Sequence, residues 1–104
     1  MTSIGIYGIL GRMGQAIAEV APSLGARIAG GADAQDDPGA IAATADVLVD
    51  FSAPAALEAH LAAARAARTP IMIGTTGLSQ RHHDAIDAAA TEIAVLRPAI
   101  LRWA

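Results

Sequence analysis

Gly8-Ile9-Leu10-Gly11-Arg12-Met13-Gly14 follows a short apolar stretch, Ser3-Ile4-Gly5-Ile6-Tyr7, and precedes Ala16, Ile17, Val20 and Ala21 at helical spacing. Strand, tight glycine turn and helix in that order read as the opening of a dinucleotide-binding fold. The three glycines serve different purposes. Gly8 permits the strand-to-helix turn, Gly11 lets backbone approach a pyrophosphate, and Gly14 lets the helix pack closely on the sheet. The helix N-terminus then offers free N–H groups to the anion. Glycines at such spacing also arise by chance, so the context has to carry the reading. It does: the motif sits between a strand and a helix, and Asp33 lies nineteen residues after Gly14, at the end of the next expected strand.

Outward from the loop, strands and helices alternate. Pro22-Ser23-Leu24-Gly25 closes the first helix, and Ala26–Gly31 reads as a second strand parallel to the first, because a helix has intervened. A polar loop over 35–39 leads to a short Ala-rich helix reaching about Thr44, then to a strand over Asp46–Phe51. Ser52 is expected to cap a helix that has Pro54 in its first turn and runs to about Ala67. Thr69–Ile73 reads as a fourth strand, Ser79 as the cap of a helix to about Ala90, and Glu92–Leu96 as a fifth strand. The expected fold class is α/β: a Rossmann-like parallel sheet with helices on both faces, incomplete at its C-terminal edge.

Composition narrows the function classes. The chain has 104 residues, 54% hydrophobic, and a formal net charge of −3. This suits one small domain with a thin core built from Ala, Ile, Leu and Val, for which marginal stability is expected. All seven basic residues are arginine, and nothing in the charge balance favours nucleic acid or an anionic membrane surface. The absence of cysteine excludes disulfides, thiolate metal sites and a cysteine nucleophile. With no basic leader before an apolar stretch and no apolar run approaching the ~20 residues of a membrane span, a cytoplasmic protein is expected.

Asp33 would accept hydrogen bonds from the adenosine ribose hydroxyls and favour NAD(H) over NADP(H), since a carboxylate repels a 2′-phosphate. Arg12, at the helix start, could offset that repulsion and keep both cofactors open. Asp50-Phe51-Ser52 and Gly74-Thr75-Thr76-Gly77 fall at the C-terminal ends of the third and fourth expected strands, where ligands collect in an open parallel sheet. The plainer alternative is turn chemistry, with Ser52 as a cap and the glycines relieving strain. His82 and His83 are adjacent, point in different directions on a helix, and are assigned to a solvated face. His60, among alanines, is expected at the surface or boundary. No metal-ligand spacing or nucleophile motif is present.

Gly-Arg-Met-Gly at 11–14, Asp50-Phe51-Ser52 with Pro54, and Gly74-Thr75-Thr76-Gly77, in this order, resemble the N-terminal domain of the 4-hydroxy-tetrahydrodipicolinate reductase (dihydrodipicolinate reductase) family over residues 1–96. The resemblance implies a dinucleotide-binding domain followed by an α+β substrate and tetramerisation domain. It also implies NAD(P)H-dependent reduction of 4-hydroxy-tetrahydrodipicolinate in the diaminopimelate route to lysine. Gly8, Ile9, Leu10, Gly11, Arg12, Met13 and Asp33 would then hold adenosine and pyrophosphate, with Gly74, Thr75 and Thr76 near the nicotinamide. No catalytic residue and no metal ligand is assigned.

The chain departs from the family pattern after Leu96. Ile100 stands where the family has an asparagine, and residues 97–104, including Trp103, read as a divergent tail. The family's catalytic segment and tetramerisation domain lie beyond this chain, which carries no lysine to replace the family's catalytic ammonium. The isolated chain is therefore expected to bind cofactor at most, with an unpaired edge strand and an uncovered apolar face. A stand-alone NAD(H)-binding module, an inactive fragment, or a different oxidoreductase with the same half-fold are the alternatives.

Overall fold

The computed structural model describes residues 2–32 and 36–97, and among these the expected alternation is realised as an all-parallel, five-stranded sheet. β1 (Thr2–Tyr7) passes through the glycine loop to α1 (Arg12–Val20), a 3-10 turn (Ala21–Leu24) and β2 (Ala26–Ala32). Then follow α2 (Pro38–Thr44), β3 (Val47–Asp50), α3 (Pro54–Ala67), β4 (Ile71–Ile73), α4 (Gln80–Ala89) and β5 (Val95–Leu96). The architecture is the α/β, Rossmann-like one that the sequence predicts.

Several boundaries differ, each for a local reason. Pro38 and Gly39, expected in a loop, open α2 because the Asp37 carboxylate accepts from the Gly39 N–H at 2.9 Å and caps the helix. β4 begins at Ile71 because Pro70 has no N–H to pair and the Thr69 hydroxyl donates instead to the Ala42 carbonyl at 2.8 Å, tying this strand entry to α2. β5 is confined to Val95–Leu96, since the Ile93 N–H still bonds back to the Ala89 carbonyl as α4 unwinds. Ser79 does begin α4, and its backbone N–H donates to His82 Nδ1 at 3.0 Å. His82, expected on a solvated face, is thus half-buried and part of the cap.

The strand order β2-β1-β3-β4-β5 means that the chain steps outward from β1 to β2, then returns across β1 to build the other side of the sheet. Right-handed crossovers put α1 on one face and α2, α3 and α4 on the other, where α2 packs on α3 and α3 on α4. The core lies between this layer and the sheet: Tyr7, Leu48, Ile71 and Ile73 from the strands meet Leu57, Leu61 and Ile86 from the helices, all nearly or fully buried. Each such side chain contributes roughly 1.5–3 kcal/mol by leaving water. Leu10, Met13, Val20 and Leu24, in or beside α1, are largely exposed, as is Leu96 on β5, which pairs with β4 alone among the described residues. No described helix is long and apolar enough to cross a membrane. Asp33 and the tail residues 98–104, with Ile100 and Trp103, lie outside the described residues.

Candidate functional site

Where the strand order reverses, the loops after β1 and β3 leave the sheet in opposite senses and open a crevice between them. Its volume is about 290 Å³, and it is lined by Gly8 and Gly11 of the first loop, Phe51 to Ala53 of the second, and Ala56 and His60 of α3. The two loops are locked to the sheet by backbone bonds: the Gly8 N–H donates to the Ala32 carbonyl at 2.8 Å and the Phe51 N–H to the Tyr7 carbonyl at 3.1 Å.

The three motif glycines divide into two kinds. Gly8 has φ +84°, and a Cβ there would lie 2.7 Å from the Phe51 carbonyl oxygen. A Cβ at Gly14 would lie 2.2 Å from the Gly8 carbonyl oxygen, so α1 packs on the loop itself as well as near the sheet. Gly11 differs: a Cβ there would meet only the Gly8 carbonyl oxygen, at 3.4 Å. The protein's own packing barely restricts that position, which leaves an open cradle beside the α1 N-terminus. Gln15 braces the cradle by donating from Nε2 to the Ile9 carbonyl at 2.7 Å, and the Ile9 side chain packs against Gly31. Leu10, Arg12 and Met13 are exposed at the rim.

Helix N-termini sharpen the picture. α2 is capped by Asp37 and α4 by the Ser79 and His82 arrangement, but α1 and α3, the two that flank the crevice, have Gly11 and Ala53 at their N-caps and no capping side chain. α1 thereby leaves its first N–H groups for another acceptor; α3 contributes less, since Pro54 has no N–H and the Ala56 N–H donates to the Ala53 carbonyl at 3.0 Å. Two uncapped helix starts beside a glycine cradle favour negative charge.

Ser52 does not cap α3, contrary to the expectation from sequence. Its hydroxyl donates to Asp50 Oδ1 at 2.5 Å, and its N–H donates to the same oxygen at 3.0 Å. Asp50 captures Ser52 because the carboxylate, at the end of β3, is fully buried and needs donors. Thr75 supplies another, its hydroxyl lying 3.2 Å from Asp50 Oδ1 and from the Asp50 carbonyl oxygen. His60 supplies the last, with Nδ1 2.7 Å from Asp50 Oδ2. His60 is therefore not the surface or boundary residue that its alanine neighbours suggest: it is buried, with its ring stacked on Tyr7 at 4.0 Å. The signal was present in the helical spacing, since 57, 60, 61 and 64 share one face of α3 and the other three are Leu, Leu and Ala of the core.

Burial pushes the Asp50 carboxyl upward, but the hydrogen bonds from His60 and Ser52 outweigh it and hold the group below the usual carboxylate range. A carboxyl whose pKa is lowered on folding stabilises the fold above its unfolded value, and that contribution is lost as pH falls through the folded one. Stability to urea is expected to drop in the acid range below the ordinary carboxylate pKa. Asp50→Asn is expected to flatten that drop; an unchanged acid profile in the variant would assign it to other carboxylates.

The third loop lies alongside. The Phe51 ring rests on Gly74, where a Cβ would come within 2.1 Å of it, and the Gly74 N–H donates to the Asp50 carbonyl at 2.9 Å. Gly8, Phe51 and Gly74 thus form a contiguous row at the C-terminal edge of β1, β3 and β4. Thr75 is buried with its hydroxyl turned inward, while Thr76 is exposed. His83 stands apart, 3.2 Å from an Arg97 nitrogen, and no group of metal-ligating side chains occurs among the described residues.

Residues 2–99 match the family described as dihydrodipicolinate reductase, N-terminus. The chain belongs to this family. Relatives of the dihydrodipicolinate reductase family include proteins named 4-hydroxy-tetrahydrodipicolinate reductase. The one from Zymomonas mobilis is 40% identical over 100 residues, covering 89% of this chain and 39% of the relative. That of Acidiphilium cryptum is 42% identical over 96 residues, covering 92% and 39%. That of Gluconobacter oxydans is 43% identical over 104 residues, covering 92% and 41%. The chain thus spans about two fifths of the length of the reductases it matches.

Proposed function

We propose that this chain is the nicotinamide-dinucleotide-binding part of a reductase acting on 4-hydroxy-tetrahydrodipicolinate, in the diaminopimelate route to lysine. The observation that carries the reading is the crevice at the strand-order reversal, bounded by the glycine cradle and by two uncapped helix N-termini. The names of the relatives supply the substrate. Residues 1–96 form the dinucleotide-binding domain in this reading, and substrate chemistry and tetramerisation belong to the part of the family that this chain does not match.

The residues present fit such a cofactor. Backbone at Gly8, Ile9, Leu10, Gly11, Arg12 and Met13 would hold the pyrophosphate, since Gly11 leaves room for close approach and the α1 N–H groups are free of side-chain caps. Asp33, which follows β2 in sequence, would accept from the adenosine ribose and favour NAD(H), with Arg12 on hand for a 2′-phosphate. Gly74, Thr75 and Thr76 would line the nicotinamide side through their backbone, because the Thr75 hydroxyl is engaged with Asp50. The cofactor, when bound, supplies the hydride; this chain's residues bind and orient it. A cytoplasmic setting goes with this reading and suits a chain without cysteine.

Titration of the protein with NADH and with NADPH, followed by calorimetry, tests the reading. Saturable binding of both is expected, tighter for NADH, with Asp33→Ala narrowing the difference. A folded protein that binds neither would overturn it.

A further inference from the structure

The crevice ends on an imidazole whose second nitrogen has no hydrogen-bond partner among the described residues. His60 is 6% exposed, and the exposed part lines the crevice. Its Nδ1 is committed to Asp50 Oδ2 at 2.7 Å. Asp50, fully buried and fed by the donors Ser52 and Thr75, is an acceptor, so Nδ1 carries the proton and donates it. Tyr7 fixes the ring plane by stacking at 4.0 Å and 11°. Among the described residues none is hydrogen-bonded to His60 Nε2, and no side-chain nitrogen or oxygen is both sealed from solvent and unpartnered. Nε2 therefore opens to the crevice.

We infer that His60 is a binding residue whose Nε2 accepts a hydrogen bond from a ribose hydroxyl of the bound dinucleotide. The inference rests on the dinucleotide reading given above. In a neutral imidazole that donates from Nδ1, Nε2 carries the lone pair and can only accept. The rest of the crevice is rich in donors and poor in acceptors. The uncapped start of α1 presents N–H groups; glycine, alanine and phenylalanine bring no side-chain acceptor; and the Ser52 hydroxyl gives its proton to Asp50 and lies 3.3 Å from His60 Nδ1. Phosphate oxygens suit the donors, but a hydroxyl proton needs an acceptor, and His60 Nε2 offers one on these walls, beside the Ser52 Oγ that has given its own proton to Asp50. Asp50 acts through His60 as a positioning residue, fixing which ring nitrogen is left bare.

The test is an NMR titration of the isotope-labelled protein with NADH, observing the amides of residues 11–14 and the His60 ring nitrogens together. The expected result is that the loop amides and Nε2 shift in parallel, with Nε2 unprotonated and hydrogen-bonded in the complex. Repeating the titration with AMP assigns the contact: a response to AMP places it on the adenosine ribose, and a response to NADH alone on the nicotinamide ribose. His60→Asn keeps a donor to Asp50 where Nδ1 stood and deletes Nε2, and is expected to weaken NADH binding roughly five- to tenfold. Loop amides that shift while Nε2 stays still, a protonated Nε2 in the complex, or unaltered affinity in a folded His60→Asn would each overturn the inference and leave the dinucleotide reading standing. Should His60→Asn not fold, the Nε2 signal of the unsubstituted protein decides alone. Loop amides that ignore NADH would overturn both.

Discussion

Asp50→Ala is expected to lower the stability of the domain by about 3–5 kcal/mol, since each buried donor left without its acceptor costs about 1–3 kcal/mol. The carboxylate takes hydrogen bonds from the Ser52 N–H, the Ser52 and Thr75 hydroxyls and His60, and alanine offers none of them an acceptor. Those donors come from the loop after β3, from α3 and from the loop after β4, so three segments lose their common anchor together. Against a total of ~5–15 kcal/mol for an ordinary domain, and less for a core this thin, much of the variant should be unfolded at room temperature. Urea unfolding followed by circular dichroism measures it. A loss under about 1 kcal/mol would mean that the donors find other partners, and the anchoring role would fall.

Gly8→Ala should be severely damaging to the glycine loop, as should Gly14→Ala, whose Cβ would lie 2.2 Å from the Gly8 carbonyl oxygen. An alanine at position 8 must hold φ near +84°, which costs about 1–3 kcal/mol for a residue with a side chain. Its Cβ must also lie 2.7 Å from the Phe51 carbonyl oxygen, an atom of the adjacent backbone. The backbone there cannot retreat freely, because the Phe51 N–H is bonded to Tyr7 and the neighbouring Asp50 carbonyl to Gly74. Relief has to come from the loop moving off β3, which parts the walls of the crevice. NADH affinity is expected to fall by more than tenfold, beside a lower melting temperature. Gly11→Ala is the matched comparison, since its Cβ meets a single atom at 3.4 Å: melting should change little while NADH affinity falls. Equal losses of melting temperature in the two variants would contradict the division of the glycines into structural and ligand-facing kinds.

The fold was legible in the sequence because each strand is short, apolar and followed by a turn signal that a helix then answers. The glycine loop did most of this, since Gly8 and Gly14 are required by contacts that the backbone alone creates, while Gly11 leaves the cradle open. Element ends were less legible where a side chain took over a backbone duty, as the Thr69 hydroxyl does before β4 and the Asp37 carboxylate before α2. The inner half of the site was misread for a related reason. Ser52 beside Pro54 has the pattern of a cap, yet a buried carboxylate two residues earlier competes for the same hydroxyl and wins. Sequence spacing shows which residues share a helix face, as it does for His60 with Leu57, Leu61 and Ala64, but it does not show which strand residue faces them.

Tyr7 is the chain's one tyrosine, buried flat against His60 with its hydroxyl donating to the Pro38 carbonyl at 2.6 Å. Burial, together with the negative charges of Asp50 and Asp37, pushes its phenol well above the ordinary range. The protein therefore carries its own optical gauge. In alkali the ultraviolet band of tyrosinate has to wait for the fold to open, so the rise of that band times unfolding and not simple deprotonation. Because the phenol ring forms one wall of the imidazole's berth, its ring resonances should also shift when the crevice fills, giving a label-free readout from one layer behind the site.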